Sequence, residues 1–418
     1  MGNKVLVIGG GAAGVRAACA AAELGAEVTL FERNERIGRK VRITGKGRCN
    51  LTNYRPDINE FVRHVPVNGR FLYSALSRFG PLDTMALFEE ELGVPLRTER
   101  GNRVFPVSDK ATDIVDAMDR DLRRHRVRRV QDRIVRILTE DGKAVGVEGE
   151  HCGQFTGAAV ILATGGMSYP KTGSTGDGYR MAEVLGHTVT PLSPSLVPMT
   201  SADPCCHALQ GLALRNVGIQ VIDPKNGTKI YEDFGEMEFT YFGVSGPVIR
   251  SASSHIRSLS HPLQLTIDLK PALDEQKLDR RIQRDFSADP NRLFRDSLGK
   301  LLPKKMIPVM VERSNIAPDK PLNQVTREER EHLVRCFKQF GLMLNGFRPV
   351  TEAIITSGGV STREIDPHTM ESRLVPGLFF AGEIIDVDGY TGGYNLQIAF
   401  STGTLAGENA AYAALNTD

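Results

Sequence analysis

No C-x-x-C pair occurs among the six cysteines, Cys19, Cys49, Cys152, Cys205, Cys206 and Cys336, so neither a zinc ribbon nor a thioredoxin-like dithiol is expected. Cys205-Cys206-His207 is the grouping closest to a metal site. Adjacent cysteines rarely bridge each other and two further ligands are missing, so no metal is expected. Cys19 lies in an alanine-rich helical stretch and reads as core packing. No apolar run reaches about 18 residues, which argues against a membrane-spanning helix. No signal-peptide pattern precedes the first strand, and a reducing cytoplasm is the expected compartment. Charge of one sign is scarce too. The formal net charge is +2, too small to argue for nucleic acid or an anionic membrane as a partner. The densest basic run, Arg120 to Arg136 with eight arginines, alternates with Asp119, Asp121 and Asp132 and carries no interleaved aromatic. It reads as a solvated helix face running into a strand edge rather than as a nucleic-acid patch.

Glycine, by contrast, is plentiful. There are 42 glycines in 418 residues, many of them clustered in a few loops, which suits a chain that wraps backbone around a ligand. The length is too great for one compact core, so two or three domains are expected.

The most informative stretch is the first. Lys4 to Ile8 is a short run rich in β-branched residues, followed at once by Gly9-Gly10-Gly11-Ala12-Ala13-Gly14, an alanine-rich helix to Leu24, and a second strand-like run from Glu27 to Phe31 that ends at Glu32. Strand, glycine-rich turn, helix, strand and acid make one dinucleotide-binding βαβ unit. Gly9 allows the tight turn, Gly11 lets backbone approach a pyrophosphate, and Gly14 lets the helix pack on the strand. Ala12 and Ala13 open the helix, whose free N–H groups favour phosphate. Glu32, 18 residues after Gly14, is placed to accept from both hydroxyls of an adenosine ribose and to repel a 2′-phosphate. The segment from Arg33 through Lys40, Thr44, Gly45, Lys46, Gly47, Arg48, Cys49 and Asn50 to Thr52 mixes glycines, cations and small polar groups. It reads as a loop facing phosphate and ribityl. Residues 54–125 read as helical, with a hairpin-like excursion from Leu96 to Val107, and Asp109 to Arg124 as a further helix.

Five motifs, in order, resemble a bacterial FAD-flavoprotein family that includes aminoacetone oxidase and a 3-dehydro-bile-acid Δ4,6-reductase. The first is the N-terminal unit. The second is G-R-K followed by T-G-K-G-R-C-N-L-T-N, in which Thr44 and Lys46 depart from the family's usual S-G-G-G-R-C-N. The third is Ala163-Thr164-Gly165-Gly166 after a fully apolar run, leading to Tyr169, Thr172, Gly173 and Asp177, the last read as a helix N-cap. The fourth is F-T-Y-F-G-V-S-G-P, where Tyr241 stands in place of the family's histidine. The fifth is Gly382-Glu383 through Asp386, Tyr390, Gly392, Gly393, Tyr394, Asn395 and Leu396, opening the last helix. The resemblance implies that Ile134 lies against the adenine, that Gly358 and Gly359 form a flavin-facing loop, that Glu383 takes a ribityl hydroxyl, and that the final helix starts at the flavin N1–C2=O edge.

The implied architecture is α/β: a three-layer, Rossmann-like FAD-binding domain from residues 1–192 and 362–418. An antiparallel β-barrel substrate domain is inserted at 193–270 and 341–361, and a small all-α insert occupies 271–340. The active site is expected where flavin meets barrel. No second G-x-G-x-x-G unit exists for a tightly held nicotinamide, so NAD(P)H is expected to visit the flavin transiently. The expected reaction is hydride transfer through flavin N5 to the activated C=C of a steroid- or bile-acid-like enone, a small-molecule substrate, with Tyr390 or Tyr169 as proton donor. Oxidation of a small amine such as aminoacetone, and action on tRNA, are the alternatives. The sequence leaves the oligomeric state open.

Overall fold

The computed structural model describes residues 2–256 and 259–416. The chain divides into two compact units, Met1–Ser195 with Val350–Asp418, and Leu196–Pro349.

In the first unit β1 (Lys4–Ile8), α1 (Ala12–Glu23) and β2 (Glu27–Glu32) follow one another as the hydrophobic pattern requires. After α2 (Ala111–Arg124) come β3 (Arg128–Gln131), β4 (Ala159–Leu162), α3 (Asp177–Val184), β5 (Leu378–Phe380) and the long α4 (Tyr394–Leu415). The five strands form one parallel sheet in the order β5-β4-β1-β2-β3. Every residue of β4 is buried, which explains its unbroken apolar run: a central parallel strand is covered on both faces. The alanines of α1 let α4 approach to backbone contact. A Cβ on Gly403 would stand 2.4 Å from Ala13 O, and one on Gly407 would stand 2.3 Å from Ala17 O. Chain segments some 390 residues apart are thereby locked into one core. Leu96–Glu99 and Arg103–Pro106 form the expected antiparallel hairpin. Ile134–Glu140, Lys143–Gly149 and Gln154–Thr156 form a separate three-stranded antiparallel sheet. A short ladder between Ser193–Ser195 and Ile355–Ser357 also belongs to this unit.

The second unit contains a closed antiparallel barrel. Its strands, in order around the barrel, are Met199–Ser201, Gly243–Ser245, Lys229–Thr240, Ala213–Ile222, Leu263–Asp268 and Phe340–Phe347. The strand that begins at Lys229 runs on to Thr240. Its middle is polar because its side chains there are exposed or half-exposed. The helices Glu275–Ser287, Ile307–Ser314 and Arg327–Lys338 occupy the insert. Thr326 and Glu329 close a reciprocal capping box at the last of these, a pairing readable from T-x-x-E. Leu278, Ile282, Phe337 and the barrel's Phe239 and Phe340 share one hydrophobic cluster.

Candidate functional site: a dinucleotide cleft in the first unit

At the carboxyl ends of β1 and β4 lies a cleft with about 1370 Å³ of empty space, its open mouth included. Its lining draws on the ends of β1, β2, β3, β4 and β5 together with the start of α4, an extent that suits an elongated ligand. Open parallel sheets place their ligands at this edge.

The glycine turn divides its work. Gly9 has φ +108°, and a Cβ there would stand 2.5 Å from Ala163 O. A Cβ on Gly14 would stand 1.9 Å from Gly9 O. Both positions are therefore dictated by contacts within the protein. Gly11 differs: it lines the cleft, and a Cβ there would meet nothing within 4 Å. The missing side chain leaves room for a ligand. No side chain caps α1 and no acid sits in its first turn, so the N–H groups of the helix start favour an anion in the cleft. Thr164 also lines the cleft, with its Oγ1 buried beside Gly178 and without a hydrogen-bond partner. A cradle free of side chain and an anion-favouring helix start together fit a pyrophosphate-linked dinucleotide.

Charged groups ring the cleft. Glu32 Oε2 accepts from Gly10 N at 2.8 Å, and Oε1 accepts from Asn34 N at 2.8 Å and Asn34 Nδ2 at 2.6 Å. The acid is thereby fixed at the end of β2. Lys40 Nζ donates to Glu383 Oε2 at 2.6 Å and Ser168 Oγ at 2.7 Å, while Glu383 Oε1 accepts from Thr356 N at 2.9 Å. This pair joins residues 343 positions apart.

Many expected residues do meet here. Gly9, Gly11, Ala12, Ala13, Glu32, Arg33 and Lys40 line the cleft, as do Thr44, Ile134, Ala163, Thr164 and Gly165; Thr172, Gly173, Glu383, Asn395 and Leu396 complete the set. Others stand behind the wall. Arg48 turns away to Glu99 and Asp109 and lies 4.1 Å from the Phe105 ring centroid. Cys49 is fully buried, and burial pushes its thiol up to about 12. Thr52 Oγ1 donates to Gln397 Oε1 at 2.6 Å. Asn50, with its amide oriented to satisfy its neighbours, accepts from Gly393 N at 3.1 Å. Gly393 is the N-cap of α4 at φ +98°. Gly392 O accepts from Asn53 Nδ2 at 2.9 Å. Gly45, Gly47, Gly166, Gly358, Gly359 and Gly382 are likewise outside the lining, the last four in tight crossings such as Gly359 against Ile384 O. Asp386 is buried, with Oδ1 lacking a hydrogen-bond partner. Tyr394 is buried, stacked on His64 and bonded by Arg55 Nε at 2.9 Å. Tyr390 and Tyr169 do not line the cleft either. Each is one contact away: the Tyr390 carbonyl accepts from Asn395 Nδ2 at 3.2 Å and the Tyr169 carbonyl from Thr172 Oγ1 at 2.7 Å.

Asn34 and Thr175, from the two loops expected to face phosphate, line the cleft, and so do residues not anticipated from sequence, among them Asp132, Arg133 and Val387. Asp132 and Arg133 follow the carboxyl end of β3, a signal that strand order alone would have provided. Burial acts most strongly on Asp132 and raises its pKa, yet N–H groups of His151 and Cys152 hold the carboxyl well below the usual range. Asp177 corrects an expectation. It is the first residue of α3 rather than its cap; the N-cap is Gly176 in the left-handed region at φ +78°. The Asp177 carboxylate instead takes Arg33, Arg133 and Arg180. In the basic run, Arg123 and Arg129 pair with Asp119, Arg124 with Glu91 and Arg136 with Glu148, as a solvated face would.

A family model described as the HI0933-like protein Rossmann domain matches residues 3–409. The chain belongs to the HI0933-like FAD Rossmann family. It is an FAD-dependent oxidoreductase. It is 34% identical to the 3-dehydro-bile acid delta(4,6)-reductase of Clostridium scindens, over 98% of this chain and 99% of that protein. It is 32% identical to the ribosomal RNA dihydrouridine synthase of Escherichia coli, over 95% of each chain. Among solved structures, the 3-ketosteroid delta1-dehydrogenase of Sterolibacterium denitrificans superposes with a TM-score of 0.54 at 14% identity, covering 98% of this chain and 100% of that one. That likeness is one of fold. Among the described residues no helix is long and apolar enough to cross a membrane.

Proposed function

We propose that this member of the family reduces a C=C bond conjugated to a carbonyl, with NAD(P)H as a transient electron donor and a steroid- or bile-acid-like enone as substrate. The observation that carries the reading is the 34% identity, across nearly the whole chain, to a reductase acting on a 3-dehydro bile acid. When bound, FAD supplies the hydride chemistry that side chains lack. The start of α1, with Gly9, Gly11, Ala12 and Ala13, would hold its pyrophosphate. Glu32 would hold the adenosine ribose, with Ile134 against the adenine. Glu383, positioned by Lys40, would hold the ribityl chain. Tyr390 and Tyr169, each bonded through its carbonyl to a cleft residue, are the proposed proton donors. Anaerobic stopped-flow mixing tests the reading. Bleaching of the yellow enzyme by NADH or NADPH, followed by reoxidation with an enone, supports it. Bleaching by aminoacetone alone replaces it with an amine oxidase.

A second reading is favoured by the 32% identity to a ribosomal RNA dihydrouridine synthase. The uracil C5=C6 bond is also conjugated to a carbonyl, so the hydride chemistry is shared while the ring and its carrier differ. It predicts RNA retention that weakens steeply with salt and dihydrouridine in RNA incubated with enzyme and donor.

A further inference from the structure

One end of the cleft is crossed by a set of charged contacts that the reading above does not use. Arg33, just after β2, donates to Thr175 Oγ1 at 2.8 Å and to Asp177 Oδ2 at 3.1 Å. Arg133, just after β3, grips the same carboxylate with Nε on Oδ2 at 2.9 Å and Nη2 on Oδ1 at 3.0 Å. Asn34 Nδ2 donates to Thr172 O at 3.1 Å, and Arg39 Nη1 holds Asn34 Oδ1 at 2.6 Å. Three segments far apart in sequence are thereby tied at a single carboxylate. All of these residues line the cleft. The Asp177 side chain is 13% exposed and those of Arg33 and Arg133 are each 36% exposed. The knot is thus sunk at its centre and wet at its edges. Burial is the strongest influence on Asp177 and raises its pKa. The Arg133 hydrogen bonds, with the charges of Arg133 and Arg180, bring the net shift downward, so the carboxylate stays ionised at neutral pH.

Arg180 provides an internal contrast. It reaches Asp177 from three positions along α3 and therefore spans no gap. Of the three guanidinium groups on Asp177, only those of Arg33 and Arg133 reach it from separate segments.

We propose that Asp177 is a positioning residue that clasps the loops after β2 and β3 to the loop before α3, and that this clasp sets how slowly the bound dinucleotide leaves. The inference rests on the reading of the cleft as the FAD site. Opening the clasp breaks no covalent bond; it requires only that two guanidinium groups leave one carboxylate. Exposed ends make the clasp sensitive to ionic strength, since mobile ions screen partly exposed pairs.

The experiment uses full-length holoenzyme loaded with FAD, diluted into buffer, with release followed by recovery of free-flavin fluorescence. Asp177→Asn and Arg133→Ala are expected to release FAD about threefold to tenfold faster than wild type, and Arg33→Ala by a smaller factor. Arg180→Ala is expected to release at close to the wild-type rate. Raising NaCl is expected to accelerate wild-type release and to leave Asp177→Asn nearly unchanged, because its clasp is already open. Thermal melting of each apoprotein accompanies the measurement. Arg33 is a partly exposed loop residue whose replacement spares the core, so it keeps the test meaningful should Asp177→Asn fail to fold. If yellow wild type and yellow Asp177→Asn release FAD at the same rate, or if Arg180→Ala accelerates release as much as Arg133→Ala, the clasp is wrong while the cofactor reading stands. If wild type binds no FAD at all, the cofactor reading falls and the clasp falls with it.

Discussion

Replacing Gly11 and Gly14 by alanine separates two functions that the glycine-rich turn performs with the same residue type. At Gly14 the added Cβ would lie 1.9 Å from Gly9 O, far inside contact distance, and the obstacle is backbone that cannot rotate aside. Such overpacking costs about 3 kcal/mol at the upper end of the usual range. Alanine in place of glycine within α1 returns about 1 kcal/mol of helix propensity. The net destabilisation is therefore about 2 kcal/mol, or a Tm lower by ~4–8 °C. At Gly11 the Cβ meets nothing within 4 Å. The residue has φ −82° and ψ −173°, which alanine adopts without strain. The apoprotein loses only the preference for glycine at an N-cap, about 0.5–1 kcal/mol. Its methyl group, however, projects into the cleft, and FAD affinity is expected to fall at least tenfold, about 1.4 kcal/mol. Differential scanning fluorimetry of the apoproteins and equilibrium titration with FAD measure both quantities. A Gly11→Ala protein that binds FAD as tightly as wild type refutes the assignment of the cleft to the pyrophosphate. A Gly14→Ala apoprotein that melts with wild type refutes the packing argument.

Three further outcomes follow from single sites. His187 is buried, with Nε2 2.7 Å from Ser372 Oγ and Nδ1 facing Ala182 O, and burial lowers its pKa. The charged form is thus disfavoured in the folded state. Its contribution is fully present above the unfolded value of about 6.5 and is lost as pH falls through the lower folded value. Melting between pH 7.5 and 5 should show this loss, and His187→Gln should flatten it. Cys49, fully buried with its thiol pushed up to about 12, should resist aromatic disulfide reagents at pH 8 until the protein unfolds; rapid labelling of native Cys49 would contradict its packing. Lys40→Met leaves Glu383 facing the cleft without its cation. The pair is about one-fifth exposed on each side, intermediate between surface and buried pairs, so a loss of about 1–2 kcal/mol is expected in urea unfolding. Lys40→Met combined with Glu383→Gln should recover most of it.

The parts of this molecule that could be read from sequence depend on near neighbours. The turn from Ile8 to Gly14 needs only a strand before it, a helix after it and glycines between, all within one supersecondary unit, and the structure builds it as the motif requires. The buried run of β4 and the helices of the insert are legible for the same reason. Cations were the least legible, because a guanidinium is placed by its partner and the partner is distant. Arg48 sits in a glycine-rich loop that looks made for phosphate, yet Glu99 and Asp109, 51 and 61 residues further on, draw it away from the cleft. Asp177 has the composition of a helix cap. Gly176, free to take the left-handed conformation, occupies that role instead and releases the carboxylate to Arg133, 44 residues earlier, and Arg33, 144 residues earlier. In both cases the side chain's chemistry was clear from the sequence and its direction was not. Backbone-determined features of a nucleotide cleft can therefore be assigned from one sequence with some security, whereas each charged residue near it has to be assigned together with the opposite charge that holds it.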